Sequence, residues 1–113
     1  TKGGKMKKTD NLIQAIEHFR FIDSGMHAQA MIIFLHIAKS DPEPVAMSDL
    51  SERIGITQAS VSRNVALLSS LTRYKTKGPN LLEAYEDVME RRRKLVKLTR
   101  RGLKYYKDLE SKL

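Results

Sequence analysis

Apolar residues in this chain recur mostly at helical spacing. Leu12, Ile13, Ile16 and Phe19 share one face of a first amphipathic helix, predicted from a capping Asp10 to about Phe21, and Ser24-Gly25 ends it. A second helix is predicted from Met26 to about Ala38. Its Met26, Ala30, Met31, Ile33, Phe34 and Ile37 nearly encircle it, which places it in the interior. Asp41-Pro42-Glu43-Pro44 cannot continue a helix and reads as a loop. Val45-Ala46-Met47 predicts a very short strand, with Ser48 as the N-cap of the next helix.

From Ser48 to Leu68 the pattern describes two short helices and a tight turn. Leu50 and Ile54 are four apart on the first, and Val61, Val65 and Leu68 fall at i, i+4, i+7 on the second. Gly55 stands where the first helix must stop and the backbone must turn back. Thr57 is a capping residue type directly before the second. This is the pattern of a helix-turn-helix.

Beyond it, Thr72 to Asn80 is polar and basic, contains Gly78-Pro79, and reads as a loop. Leu81 to Met89 fits two descriptions: a helical stripe through Leu81, Leu82, Tyr85, Val88 and Met89, or a strand from Leu81 to Tyr85 followed by an acidic turn. Alternation through Leu95, Val96 and Leu98 predicts a strand from about Arg93. Thr99 caps a closing helix to Lys112, with Leu103, Tyr106 and Leu109 as its apolar stripe. Two strands joined by a charged loop after a helix-turn-helix would make a winged helix, whose hairpin lies beside the second helix and whose loop reaches the neighbouring groove of a duplex.

Composition narrows the partner. At 113 residues the chain is the size of one domain, and 41% hydrophobic content supports a modest core. It carries 21 Lys and Arg against 13 Asp and Glu, a net charge of +8. That balance favours an anionic partner, nucleic acid before a membrane surface. There is no cysteine, so disulfides and zinc–thiolate sites are excluded. The longest apolar run, Ala30 to Leu35, is far too short to span a bilayer. A soluble, cytoplasmic protein is expected, nucleoid-associated if the source is bacterial.

Two segments resemble the MarR family of winged-helix transcription regulators. Asp49 to Leu68, DLSERIGITQASVSRNVALL, resembles that family's helix-turn-helix, including the Ser62-Arg63 pair. Leu81 to Gly102, LLEAYEDVMERRRKLVKLTRRG, resembles its strand, wing and return strand. There Glu90-Arg91-Arg92 stands where the family usually has Asp-Arg-Arg, and Leu98-Thr99 with Gly102 stands where the return strand enters the next helix. The resemblance selects the strand at Leu81 to Tyr85. It implies a mainly α fold, a winged helix-turn-helix with a small two- or three-stranded β-wing. Residues 1–9 would then be a flexible basic tail and 10–113 a single DNA-binding domain, with the helix-turn-helix at 48–70 and the wing at 81–98. The family pattern is broken at Asn64, where an apolar residue is usual, at Glu90, and at Thr72 to Pro79, which looks like an insertion. The resemblance also implies a homodimer, resting here on Asn11 to Phe21 and Leu103 to Leu113 because only one short helix follows the wing.

With Val61, Val65 and Leu68 turned inward, the second helix of the motif presents Gln58, Ala59, Ser62 and Arg63 in its first two turns. Arg63 can donate two hydrogen bonds to guanine, Gln58 can pair with adenine, and Ala59 can meet a thymine methyl. Thr57, Ser60 and Asn64 lie at the margins, with Ser60 and Asn64 suited to phosphate. From Arg91 to Lys107 the chain has nine Lys or Arg and no acid. Arg91, Arg92, Arg93 and Lys94 fall at the wing. The resemblance assigns Arg91 or Arg92 to a narrow minor groove and the other to bracing the wing against Glu90, Glu86 or Asp87. Arg73, Lys75 and Lys77 would add phosphate contacts. His18, His27 and His36 lack ligand spacing, so no metal or other cofactor is expected. No catalytic constellation is visible, and an enzyme is not expected. Tyr105 and Tyr106 with Phe19 and Phe21 read as core or dimer packing before a small-molecule effector cavity. Two other readings stand beside the regulator: an accessory factor binding nucleic acid with little sequence preference, and a protein-interaction module.

Overall fold

The structure, a computed structural model, describes residues 4–70 and 77–113, with side chains from residue 7. Along the chain run α1 (Gly4–Ile22), α2 (Ala28–Ser40), β1 (Val45–Ala46), α3 (Met47–Ile54), α4 (Gln58–Leu67), β2 (Leu82–Glu86), β3 (Lys94–Leu98) and α5 (Arg100–Glu110). The fold is mainly helical with a small antiparallel sheet in the order β1-β3-β2. The ambiguous segment is strand β2, because β3 offers it a complete ladder from Leu82↔Leu98 to Glu86↔Lys94. That register sets Glu83 opposite Lys97 and Glu86 opposite Lys94, and opposite charges facing each other stabilise a hairpin modestly. β1 closes the other edge of β3 through Val45↔Val96.

The core lies where α2 crosses α3, α4 and the sheet. Ile33, Phe34 and Ile37 of α2 are buried with Leu50 of α3, Val61 and Val65 of α4, Val96 of β3 and Leu109 of α5. Phe34 is its aromatic hub, edge-on to Phe19 at 5.9 Å and to Tyr105 at 5.4 Å. Leu68 ties the helix-turn-helix to the wing, since its carbonyl accepts from Leu81 N at 2.7 Å and Leu82 N at 3.0 Å.

Several expectations are corrected here. α1 begins at Gly4, so residues 4–9, read as part of a tail, form its first turns; Lys-Met-Lys-Lys is a good helix-forming run. Its inward face is also different. Ala15 and Phe19 are buried, whereas Leu12, Ile13 and Ile16 are 57%, 54% and 46% exposed. The inward positions follow Asn11, Ala15, His18, Phe19 and Ile22, a helical stripe in which polar residues share the face; the His18 ring stacks on Tyr105 of α5 at 4.4 Å. On α2, Ile32 and Leu35 remain exposed rather than enclosed. On α5 the fully buried aromatic is Tyr105, with Tyr106 half-buried and hydrogen-bonded to Glu110. Burial pushes the Tyr105 hydroxyl's pKa up. Ser48 does not cap α3, whose N-cap position is Ala46 without a side-chain bond, because the helix starts two residues earlier than that cap implies, at Met47.

Candidate nucleic-acid interface

The turn between α3 and α4 is built as its residues dictate. Gly55 takes a left-handed conformation (φ 79°) at the end of α3, and its N–H donates to Ser51 O at 2.9 Å. Thr57 caps α4, its Oγ1 accepting from Ser60 N at 3.1 Å. The same hydroxyl donates to Ser60 Oγ at 3.1 Å, and Arg63 Nη2 donates to Ser60 Oγ at 3.0 Å. Thr57, Ser60 and Arg63 thus form one chain of bonds along the helix, and Ser60 steers Arg63.

Gln58, Ala59, Ser62 and Arg63 are all exposed on the side of α4 opposite Val61 and Val65. Asn64 is not with them. It is 7% exposed and turned to the packed side. Its Nδ2 donates to Gln29 Oε1 of α2 at 3.3 Å and to Ser60 O at 2.9 Å, which uses both amide hydrogens. The expectation of a phosphate contact at Asn64 is therefore corrected: this amide joins α4 to α2.

The connection between β2 and β3 is braced from within. Met89 N donates to Asp87 Oδ1 at 2.9 Å, and Arg93 N donates to Glu90 O at 2.9 Å. The brace is carried by Arg93, whose guanidinium lies 3.6 Å from the Asp87 carboxylate and 3.9 Å from that of Asp49 on α3. This corrects the expectation that Arg91 or Arg92 would brace the wing: the backbone turn brings Arg93 back over Asp87 and α3. Arg91, Arg92 and Lys94 are exposed and make no ion pair with any described residue. A cleft of about 340 Å³ joins the two halves of the site, with Gln58 at the start of α4 on one wall and Arg92, Arg93 and Lys94 on the other. The start of α4 and the wing therefore share one surface.

The auxiliary cations lie elsewhere. Arg73 and Lys75 are outside the described residues. Lys77 is exposed, in a segment where Gly78 N donates to Ser70 O, at the opposite end of β2 from the wing tip. Sequence reasoning placed Arg93 at the wing but not as its brace, and it missed Asp49 and Gln29, since no spacing rule pairs residues so far apart in the chain.

Other side chains do not assemble a second centre. Phe19, Tyr105 and Tyr106 pack around Phe34, while Phe21 is 90% exposed and stands apart from them. Partial burial, with Lys39 and Arg53 nearby, holds His36 below the usual imidazole pKa. Among the described residues no group of three or more His, Asp or Glu could hold a metal ion, and no helix is long and apolar enough to cross a membrane.

Residues 24–71 match the family model described as MarR family. Comparison with curated proteins finds no match. Among solved structures, a mutant of MepR from a multidrug-resistant S. aureus clinical isolate is similar with a TM-score of 0.71 and 20% identity, over 95% of this chain and 70% of that one. The S. aureus MepR–DNA complex matches at 0.61 and 19%, over 96% and 73% of the two chains. The PcaV transcriptional regulator from Streptomyces coelicolor, in complex with its natural ligand, matches at 0.59 and 18%, over 99% and 72%. The segment spanning α2 through α4 is thus similar to the MarR family, and with the wing folded beside it the chain has the winged-helix fold of these solved structures.

Proposed function

We propose that the protein binds double-stranded DNA sequence-specifically as a homodimer and regulates transcription in the cytoplasm. The observation that carries this reading is the shared surface of α4 and the wing, where Gln58, on the same exposed face as Arg63, stands across a cleft from Arg92 and Lys94 on a chain of net charge +8. α4 enters the major groove, with Gln58, Ala59, Ser62 and Arg63 reading base edges. Thr57 and Ser60 hold the start of that helix. Arg91 and Arg92 reach the minor groove or its phosphates, and Lys94 adds a phosphate contact. Lys77, with Arg73 and Lys75, is left for outer phosphates.

Selection of bound duplexes from a random pool, with the mass of the complex measured, tests specificity and stoichiometry together. Arg63→Ala should relax the preference at its base and weaken the selected site by about 1–3 kcal/mol, while Arg92→Ala should weaken all duplexes alike and reduce the salt slope. Wild-type affinity in both variants would refute the assignment. Equal binding of the selected site and random DNA by the wild type would favour a factor without sequence preference.

The dimer reading is supported by the outward stripe on α1. Leu12, Ile13 and Ile16 are exposed next to the chain end, where Asn11 Nδ2 donates to Leu113 O at 3.3 Å and Leu113 is 66% exposed. Such a stripe matches what a second copy would cover. Ile13→Glu with Ile16→Glu should halve the mass in sedimentation while leaving the helical circular dichroism intact. A variant that keeps the wild-type mass would remove α1 from the interface. A small-molecule effector stays in the proposal by analogy with the ligand complex of PcaV, without a site assigned to it.

A further inference from the structure

Val88 and Met89 are each 92% exposed. A lone exposed apolar side chain is ordinary on a protein surface. These two are adjacent, and they stand in the loop of the wing, between Asp87 and Glu90. The loop beneath them is held in shape. Asp87 N donates to Arg93 O, Met89 N to Asp87 Oδ1 and Arg93 N to Glu90 O, each at 2.9 Å, and the Arg93 guanidinium bridges Asp87 and Asp49. A turn tied at its base by those bonds cannot readily fold its apolar tip back onto the sheet. The tip is presented to something outside the chain.

The surroundings say what that is. Arg91, Arg92 and Lys94 are exposed directly behind the tip. Asp87 is paired with Arg93, and exposed Glu90 is the one carboxylate of the loop outside an ion pair, so these three cations outweigh it and the apolar pair complements a surface with an anionic rim and a less polar interior. The minor groove of a duplex is such a surface, with phosphates on both walls and sugars and base stacks between them. The cleft that joins Glu90, Arg92 and Lys94 to Gln58 sets the loop that carries the apolar pair beside the start of α4. A duplex engaged by α4 in its major groove thus offers the adjacent minor groove to the wing, which favours DNA over an anionic lipid surface.

We propose that Val88 and Met89 form a minor-groove wedge that partly unstacks a base step, with Arg91, Arg92 and Lys94 on the flanking phosphates. The inference rests on the DNA-binding reading above. Met89 suits the task because its unbranched, polarisable side chain adapts to an irregular slot. Partial unstacking is easiest at pyrimidine–purine steps, so the target carries a deformable TA or CA step where the wing lands, a preference read without base hydrogen bonds.

The test uses the full chain and a duplex selected from a random pool, carrying a fluorescent adenine analogue at successive positions across the footprint of the wing. Wild type should brighten the analogue at one step and bend the duplex in a circular-permutation assay. The double variant Val88→Ser, Met89→Ser should lose both signals, lose the preference for TA or CA at that step, and bind about tenfold more weakly. Because both side chains are exposed, its thermal unfolding should match wild type. If wild type binds the duplex tightly without brightening or bending it, and the double variant binds equally well, the wedge is overturned while the DNA-binding reading stands. If wild type binds no duplex in a salt-dependent way, both fall. If the double variant instead loses only binding to phosphatidylserine vesicles, the tip is a lipid contact and the wedge is overturned.

Discussion

Gly102→Ala should cost about 3 kcal/mol of stability or more, as expected for overpacking against atoms that cannot rotate away. A Cβ at Gly102 would lie 2.0 Å from the Leu81 carbonyl oxygen and 2.9 Å from its carbon. The first turn of α5 rests directly on that peptide. Thr99 N donates to Leu81 O at 3.1 Å, and Leu81 N donates to Leu68 O at 2.7 Å, just past the end of α4. Relief therefore requires either lifting α5 from the sheet or pulling the wing base from α4. The sign is informative because helix propensity works the other way, favouring alanine over glycine by about 1 kcal/mol. A slack contact would make the variant more stable than wild type. Urea unfolding decides: a lower midpoint at unchanged slope supports the close approach, and a raised midpoint refutes it. Gly25→Ala is the control, since a Cβ there would meet only Asp23 Oδ1 at 3.7 Å, and it should change little.

Gly102 also illustrates what the chain makes legible. It was identified by its place in a family pattern, four residues after Leu98, but its reason is a backbone contact with a residue twenty-one positions earlier. Local chemistry was readable wherever the partner is a near neighbour: Gly55 in its left-handed turn, Thr57 over Ser60, Thr99 over Gly102 N at 2.9 Å. Periodicity located the helices of the motif and their inward valines for the same reason. It could not say which face of α1 is covered inside one chain, because Leu12, Ile13 and Ile16 describe a stripe and not what lies against it. Nor could composition choose among three consecutive arginines. Arg93 became the brace through the geometry of a turn that returns it to Asp87 and Asp49. The exposed set Gln58, Ala59, Ser62 and Arg63 was legible because Val61 and Val65 orient the helix, and the opposite face follows.

Asn64→Asp should destabilise the protein by about 3 kcal/mol, since it sets a charge against the fixed Ser60 carbonyl in a buried position. Asn64 was the residue least readable from its neighbours, being polar at a position set among Val61, Val65 and Leu68. In the fold it supplies two donors, to Gln29 Oε1 and Ser60 O, at 7% exposure. A carboxylate of the same shape supplies none when ionised and repels the Ser60 oxygen, while Gln29 has to turn its amide round to donate to it. The deficit should shrink on acidification, because a protonated carboxyl regains a donor and loses the charge. Asn64→Leu separates shape from hydrogen bonding. Gln29 is exposed at the start of α2 and can turn its amide to water, so an apolar side chain should cost less than about 1.5 kcal/mol. The functional consequence divides the same way. Gln29–Asn64 is a side-chain tie between α2 and the helix that carries Arg63, so Asn64→Leu should keep the fold yet broaden the sequence preference of the selected duplex. Melting temperature and competition binding, measured side by side on both variants, decide the matter. An Asn64→Asp protein as stable as wild type at neutral pH would mean that this amide faces solvent, and the tie it makes between α4 and α2 would have to be abandoned.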